Sequence, residues 1–166
     1  MYVDVIPKKD PKLLEKIKEL GFDAVFTAED SKLIDPDDEL PFDLKLYSGK
    51  DINFVITKGR ADVVTDLDKY SVILNKGLCS KLKDNGMFVM FKFDSLIKTD
   101  NFYKVYKNFL INSRFCADYG VPSLYVSFAS SEEEIKSPIQ MIAFAEHFGY
   151  GYKAYKKSVD MLLKKK

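Results

Sequence analysis

Histidine is almost absent from this sequence, and that shortage excludes several classes of enzyme. His147 is the only histidine among 166 residues. Zinc hydrolases, histidine-based metal clusters and most Ser-His or Cys-His nucleophile systems need more imidazole than one side chain provides. His147 lies between Glu146 and Phe148 at the predicted end of a helix, where the helix dipole favours a cationic side chain. We therefore expect His147 to be a helix-end residue rather than a metal ligand or a catalytic base.

Cysteine and long apolar runs are also scarce. Cys79 and Cys116 are the only cysteines; they form no Cys-x-x-Cys motif and have no histidine beside them. We expect both cysteines to be buried and reduced, as is usual in a cytosolic protein. The longest apolar run, 87–91, is too short to span a membrane, and residues 1–6 are typical of a strand containing Asp4 rather than of a signal peptide. We expect a soluble, cytoplasmic protein without a membrane partner.

The size and charge of the chain predict one domain with an uneven charge distribution. A hydrophobic content of 46% supports a packed core, and no linker-like segment divides residues 1–166. The formal net charge is +1, but residues 1–50 hold 8 basic and 12 acidic residues, whereas residues 51–166 hold 18 and 13. This asymmetry permits a localised anionic partner such as RNA, while a solvated lysine-rich helix is the simpler explanation.

The order of predicted elements indicates an α/β fold with mainly parallel strands. Strands at 2–6 and 24–27 flank a helix that Asp10-Pro11 opens, which makes one β-α-β unit. An acidic loop is predicted at 29–39. The alternation then continues with strands at 42–47, 53–57, 62–65, 87–93 and 124–128, and with helices at 70–82, after Thr99-Asp100, after Ser137-Pro138 and from Tyr152. A full (β/α) barrel usually needs about 200 to 250 residues, so we expect a distorted or shortened TIM-like barrel with helices lost or shortened between Ala24 and Val63.

The last third of the chain carries an ordered set of short motifs. After Arg114 come Tyr119-Gly-Val-Pro122, Val126-Ser-Phe-Ala-Ser130, Lys136-Ser-Pro138 and Phe148-Gly149, and Arg60-Ala-Asp-Val-Val64 lies upstream. This order resembles the archaeal ribonuclease P protein component 3 family, relatives of the thirty-kilodalton subunit of the nuclear enzyme. The chain departs from the family pattern at Phe128, where the family has glycine, and at Lys136, where the family has arginine.

The resemblance implies a distorted (β/α) barrel related to metal-dependent phosphoesterases of the PHP type, used as a subunit of a ribonucleoprotein that removes 5′ leaders from precursor tRNA. In that family the RNA subunit and its magnesium ions perform the cleavage, so we expect no catalytic residue and no metal or cofactor on the protein. The implied partners are ribonuclease P RNA, protein component 2 and the other protein subunits, with precursor tRNA contacted only indirectly.

Basic residues near predicted strand ends and on a polar helix face are the candidate RNA contacts. They are Lys58, Arg60, Lys92, Arg114 and Lys136. Arg60 and Arg114 are the only arginines, and arginine is the side chain that binds phosphate in a bidentate manner. Lys136 directly precedes Ser137, the predicted start of a helix, and helix N-termini favour phosphate. For each of these residues, ordinary solvated surface remains the alternative.

Two other functions stay open at the level of the sequence. Asp62, Asp66 and Asp68 could hold Mg²⁺ in a stand-alone phosphoesterase of the PHP type, although loop capping explains them more simply. The chain could also be a barrel used purely as a protein-interaction module. Most of the 13 phenylalanines and 10 tyrosines are predicted to be core residues. The tyrosines considered for stacking on RNA bases are Tyr150, Tyr152 and Tyr155.

Overall fold

The strands form two mainly parallel sheets in the computed structural model, which describes residues 2–28, 32–34 and 44–164. Within these residues, one sheet has the order β1-β2-β3, with β1 and β2 parallel and β3 antiparallel to β2. The other sheet is parallel throughout and has the order β4-β5-β6-β7. The strands are β1 (Val3–Ile6), β2 (Ala24–Thr27), β3 (Lys32–Ile34), β4 (Leu46–Tyr47), β5 (Val63–Val64), β6 (Phe88–Lys92) and β7 (Ser123–Val126).

Helices connect the parallel strands, as the alternating sequence pattern predicts. They are α1 (Pro11–Glu19), α2 (Ile52–Lys58), α3 (Lys76–Asp84), α4 (Asp94–Ile97), α5 (Phe102–Tyr119), α6 (Pro138–His147) and α7 (Tyr152–Leu163). A short 3₁₀ helix at Glu132–Glu134 precedes α6. None of the helices in the described part of the chain is long and apolar enough to cross a membrane.

The two sheets meet where β1 lies beside β7. The Asp4 carboxylate on β1 accepts a hydrogen bond from the Ser127 backbone N–H at 2.7 Å, and its other oxygen accepts one from the Ser127 hydroxyl. Asp4 and Ser127 are both buried, and burial raises the pKa of Asp4 to about 6 although these hydrogen bonds oppose the shift. The arrangement is compatible with a shortened α/β barrel, but within the described residues no strand pairing joins β3 to β4 to close it.

The core lies on the parallel strands, and their burial confirms the prediction that 87–93 contains a strand covered on both faces. Phe91 on β6 stacks on Tyr125 of β7 with ring centroids 4.9 Å apart. Cys79 and Cys116 are buried free thiols, and burial raises the pKa of Cys116 to about 12, so this thiol is unreactive at neutral pH.

Two of the tyrosines considered for base stacking belong to this core. Tyr150 and Tyr155 are 3% and 1% exposed, so neither ring is open to a base, whereas Tyr152 is 39% exposed.

Several sequence predictions about local structure are wrong. The predicted strand at 53–57 is helix α2, because Ile52, Val55 and Ile56 bury one helical face and Gly59 ends the helix in the left-handed conformation. The predicted acidic loop at 29–39 is wrong at Lys32–Ile34, which form β3, and its other residues lie outside the described ranges. Helix α4 was not predicted. The region in which helices were expected to be lost or shortened holds β3 and the short helix α2.

The segment before α3 also differs from its prediction. The helix expected over 70–82 begins only at Lys76, with Asn75 as its N-cap. The preceding residues form irregular turns that two buried asparagines of α5 hold in place. Asn112 accepts a hydrogen bond from the Leu74 N–H at 2.7 Å, and the Asn108 side-chain amide donates to the Val72 carbonyl at 3.0 Å. These tertiary hydrogen bonds outweigh the local helical pattern.

Other element boundaries shift by a few residues. The strand predicted at 42–47 is limited to β4 within the described residues, and residues 42 and 43 lie outside them. The long helix α5 is capped by Asn101, whose side chain accepts the Lys104 N–H at 3.1 Å, rather than by Thr99-Asp100. The start of α1 at Asp10-Pro11 is confirmed, since Asp10 accepts the Lys12 N–H at 2.9 Å.

Candidate functional site

The predicted RNA contacts are divided between two edges of the four-stranded sheet. We call the edge at which β5, β6 and β7 begin the amino edge, and the edge at which they end the carboxyl edge. Lys92 and Lys136 lie at the carboxyl edge, because Lys92 ends β6 and Lys136 follows β7. Lys58, Arg60 and Arg114 belong to the end of α2, the turn before β5 and the last part of α5, all toward the amino edge. The chain therefore does not bring the five residues together.

Lys92 is held inside the carboxyl edge by two neighbours. Its ammonium group forms an ion pair with the Asp66 carboxylate, and the two side chains are only 12% and 10% exposed. The same ammonium lies 4.4 Å from the centroid of the Phe128 ring, a cation–π distance. Breaking such a buried pair would leave an uncompensated charge. The surroundings of Lys92 therefore favour a structural role over direct contact with RNA.

The two residues that hold Lys92 both have a left-handed backbone. Asp66 has φ 61° and Phe128 has φ 53°. This conformation costs a non-glycine residue about 1–2 kcal/mol, and it persists only where the surroundings compensate for it. The ion pair and the cation–π contact with Lys92 are such compensation. Phe128 therefore combines a backbone conformation that favours glycine with a ring that contacts the Lys92 ammonium.

The carboxylates at the carboxyl edge do not assemble a metal site. Burial raises the pKa values of Asp68 and Asp94, while the nearby charge of Lys92 acts to lower both. Asp62 lies before β5 and accepts the Lys45 N–H at 3.0 Å, whereas Asp66 and Asp68 follow the strand. Within the described residues, no group of three or more His, Cys, Asp or Glu side chains could hold a metal ion.

Lys136 lies beside a well-formed helix start. The Ser137 hydroxyl accepts the Gln140 N–H at 3.4 Å, and the Gln140 side chain accepts the Ser137 N–H at 2.8 Å, which completes a capping box. This confirms the predicted start of α6. The Lys136 ammonium lies 5.4 Å from the Phe93 ring centroid and 3.5 Å from the Glu133 carbonyl oxygen. Both contacts are weak, so the charge remains available to a phosphate.

The basic groups of the amino edge are exposed. Lys58 is the last residue of α2, and the Arg60 guanidinium lies 5.0 Å from the centroid of the Phe54 ring. Arg114 is exposed on α5 and packs against the start of the α6–α7 turn, where a Cβ at Gly149 would lie 3.4 Å from its Cγ. These residues have solvent-facing charges, as a phosphate-binding surface requires.

Sequence reasoning missed two lysines at the amino edge. Lys83, in the last turn of α3, and Lys157, on α7, line one cavity of about 320 Å³. The place of Lys83 at the amino edge could have been predicted from the sequence, because Lys83 closely precedes β6. In a parallel sheet, the ends of the connecting helices and the starts of the strands lie at the same edge. Lys157 had no such signal, because its place depends on how α7 packs against β7.

Comparison with known proteins finds similarity in structure but not in sequence. No family model matches the chain, and no curated protein matches it. The fold is similar to that of a chain in a cryo-EM structure of archaeal ribonuclease P with mature tRNA, with a TM-score of 0.69. The two share 13% sequence identity, and the alignment covers 98% of this chain and 88% of that one. The match shows a shared fold that extends over nearly the whole described chain.

Proposed function

We propose that this protein is a subunit of a ribonuclease P ribonucleoprotein and that it supports the catalytic RNA in removing 5′ leaders from precursor tRNA. The observation that carries the proposal is the fold shared along nearly the whole chain with a chain of archaeal ribonuclease P. The order of motifs from Arg114 to Gly149 supports the same assignment independently, because it is a property of the sequence and not of the fold. On this proposal the chain is a component 3-like protein that works in the cytoplasm.

The chemistry of the chain supports a role without catalysis by the protein. The carboxylates at the carboxyl edge surround the ammonium group of Lys92. His147, the sole imidazole, lies at the end of α6, and its Nε2 is 3.1 Å from the Tyr106 hydroxyl. The magnesium ions of the reaction would then be bound with the RNA subunit. The proposed partners are ribonuclease P RNA, protein component 2 and other protein subunits, with indirect contact to precursor tRNA.

The proposal predicts salt-dependent binding to ribonuclease P RNA through residues on both edges. Replacing Arg60 and Lys136 with alanine should weaken binding, because each charge neutralised on phosphate releases counterions. Filter binding over a series of salt concentrations measures the affinity and its salt dependence. Lys12→Ala is the matched control, since Lys12 is exposed on α1 in the acidic part of the chain. Unchanged binding by the double variant would show that RNA contacts another surface.

A stand-alone phosphoesterase of the PHP type is the competing function. It would need the carboxylates near Lys92 to bind divalent metal, although Asp66 is already paired with the Lys92 ammonium. Metal analysis of the purified protein and a screen with phosphomonoester and phosphodiester substrates separate the two functions. We expect no stoichiometric metal and no hydrolysis. Turnover that requires metal and is lost on replacing Asp66 would favour the phosphoesterase.

A further inference from the structure

A second basic site lies at the amino edge, in the cavity shared by α3, α7 and the turn before β7. We propose that this cavity binds a backbone phosphate of RNA between Lys83 and Lys157. The proposal rests on the proposed function for the identity of the ligand as RNA. The cavity measures about 320 Å³, and Gly86, Gly120, Pro122 and Met161 also line it. Neither lysine is among the residues that the motif resemblance pointed to.

Two turns that contain left-handed glycines form part of the cavity wall. The Lys83 ammonium lies 3.8 Å from the position that a Cβ on Gly120 would occupy, so its side chain extends across the turn before β7. A Cβ on Gly86 would meet no atom within 4 Å, so the space beside the turn before β6 is open. Both glycines have a left-handed backbone, with φ 63° at Gly120 and 61° at Gly86. The walls are therefore formed by turns that leave the ammonium groups accessible.

The charges in the cavity are unpaired within the part of the chain that the structure describes. Lys83 and Lys157 are both exposed, and no carboxylate of these residues forms an ion pair with either ammonium. The helix dipole accounts for a lysine in the last turn of α3, where a cation is favoured. The dipole of its own helix does not account for Lys157, which lies in the second turn of α7. Two lysines that line one cavity and have no ion pair with a described carboxylate are suited to a phosphate.

The polar groups that line the cavity indicate that RNA would be recognised by its charge and shape rather than by the identity of its bases. The Tyr150 hydroxyl donates to the Val121 carbonyl at 2.9 Å and accepts the Ser123 N–H at 3.1 Å. The Ser158 hydroxyl donates to the Ala154 carbonyl at 3.0 Å. These groups already have partners and do not need a base edge. The apolar surfaces of Pro122 and Met161 can pack on a ribose, while the lysines bind the phosphate.

The turn that follows Lys83 lies beside the end of α2, which precedes Arg60. The Asn85 side-chain amide donates to the Ile56 carbonyl at 2.8 Å, which ties the turn before β6 to the end of α2. Arg60 follows that helix end, so the Arg60 guanidinium and the Lys83 ammonium belong to adjoining turns of one edge. A strand of RNA that crosses the amino edge can therefore contact Arg60 and the cavity in succession.

The test compares a variant that lacks the two cavity lysines with a variant that lacks two other lysines of the same helices. Lys83→Gln/Lys157→Gln removes the cavity charges and keeps side chains of similar length. Lys81→Gln/Lys156→Gln is the matched control, since Lys81 and Lys156 are exposed on α3 and α7 but do not line the cavity. A cooperative thermal unfolding transition first shows that both variants are folded. The affinity of each variant for ribonuclease P RNA is then measured at a series of salt concentrations.

The expected result is a specific loss in the cavity variant. Each lost phosphate contact should lower the slope of log K against log salt by about 0.7 to 0.9 and weaken binding roughly tenfold at 0.1 M salt. The control variant should keep a slope close to that of the wild type. Equal losses in both variants, or a wild-type slope in the cavity variant, would overturn the cavity as a phosphate site.

The experiment distinguishes a wrong assignment of the cavity as a phosphate site from a wrong proposed function. If the wild type binds ribonuclease P RNA and the cavity variant binds equally well, the cavity assignment is wrong and the proposed function stands. If the wild type binds neither this RNA nor a single-stranded control RNA in low salt, both are overturned.

Discussion

Lys92 shows how the environment of one residue changes the meaning of its charge. The sequence places a lysine at the end of a strand in a predicted parallel sheet, where ligand-binding side chains often lie. In the structure, the Lys92 ammonium forms an ion pair with Asp66 and lies over the Phe128 ring, so its charge is neutralised within the protein. Its predicted contact with RNA stays a prediction, and a single substitution separates the two roles.

We expect Lys92→Met to destabilise the protein without changing how RNA affinity depends on salt. Removing the ammonium leaves the Asp66 carboxylate buried without its partner, which typically costs about 3–5 kcal/mol of the free energy of unfolding. Urea unfolding measures this loss, and Asp66→Asn/Lys92→Met should recover part of it. A lower salt slope for RNA binding by a folded Lys92→Met protein would instead show that Lys92 contacts phosphate.

Asp4 makes stability depend on pH near the junction of the two sheets. Burial raises its pKa from an ordinary value of 3.8 to about 6 in the folded protein. Between these two pH values Asp4 is protonated in the folded protein but ionised in the unfolded chain. The contribution of Asp4 to the free energy of unfolding is therefore largest below pH 3.8 and decreases as the pH rises through 6. A shift of this size corresponds to roughly 3 kcal/mol.

The pH dependence predicts a specific difference between the wild type and Asp4→Asn. The amide keeps an oxygen that can accept the Ser127 N–H, but it cannot ionise. Urea unfolding from pH 4 to pH 7.5 should show stability of the wild type falling relative to the variant as pH rises. Asp68 and Asp94 are present in both proteins, so their titration cancels in the difference. A flat difference curve would contradict the buried ionisable role of Asp4.

At the scale of elements, the sequence predicts caps and buried strands well because their signals are local. Asp10-Pro11 and Ser137-Pro138 open helices through contacts within a few residues, and β6 is a continuous apolar run. Helix α2 was missed because the window 53–57 omits Ile52 and Gly59, which define the helical face and its end. The turns before α3 could not be predicted, since Asn108 and Asn112 hold them from a distant helix.

The candidate site is less predictable than the elements. Sequence reasoning found exposed charges at Arg60 and Arg114 on the amino edge, but it could not separate them from Lys92, whose burial depends on tertiary packing. It also missed Lys157, because nothing local to α7 indicates that its second turn faces the end of α3. Strand order and helix packing, rather than spacing in the chain, decide which basic groups share a surface.

The capping box of α6 makes a testable contribution to the element that presents Lys136. Ser137→Ala removes the side-chain acceptor of the Gln140 N–H and should lower the free energy of unfolding by about 1 kcal/mol. Hydrogen exchange at the first turn of α6 should rise as well. Ser137→Asp is the control, since a carboxylate can also cap and should retain most of the stability. Equal stability of the alanine variant and the wild type would show that the cap contributes nothing.

At the scale of the whole molecule, the two edges of the parallel sheet have different characters. At the carboxyl edge, charges are largely satisfied within the protein, as in the pair of Lys92 and Asp66. At the amino edge, Arg60, Lys83 and Lys157 face solvent. Within a chain whose net charge is only +1, this division localises the attraction for an anion instead of spreading it over the surface. On the proposed function, RNA would contact the amino edge and Lys136 of the carboxyl edge, which leaves the other faces for protein partners.

Reconstituted cleavage of precursor tRNA tests the proposed function most directly. The protein is added, together with protein component 2 as its proposed partner, to ribonuclease P RNA at a magnesium concentration at which the RNA alone is nearly inactive. Release of the 5′ leader is followed over time. The RNA alone and the RNA with the partner alone are the controls. We predict that the complete mixture cleaves faster and at lower magnesium than either control. A rate and a magnesium requirement identical to those without this protein would contradict its assignment as a ribonuclease P subunit.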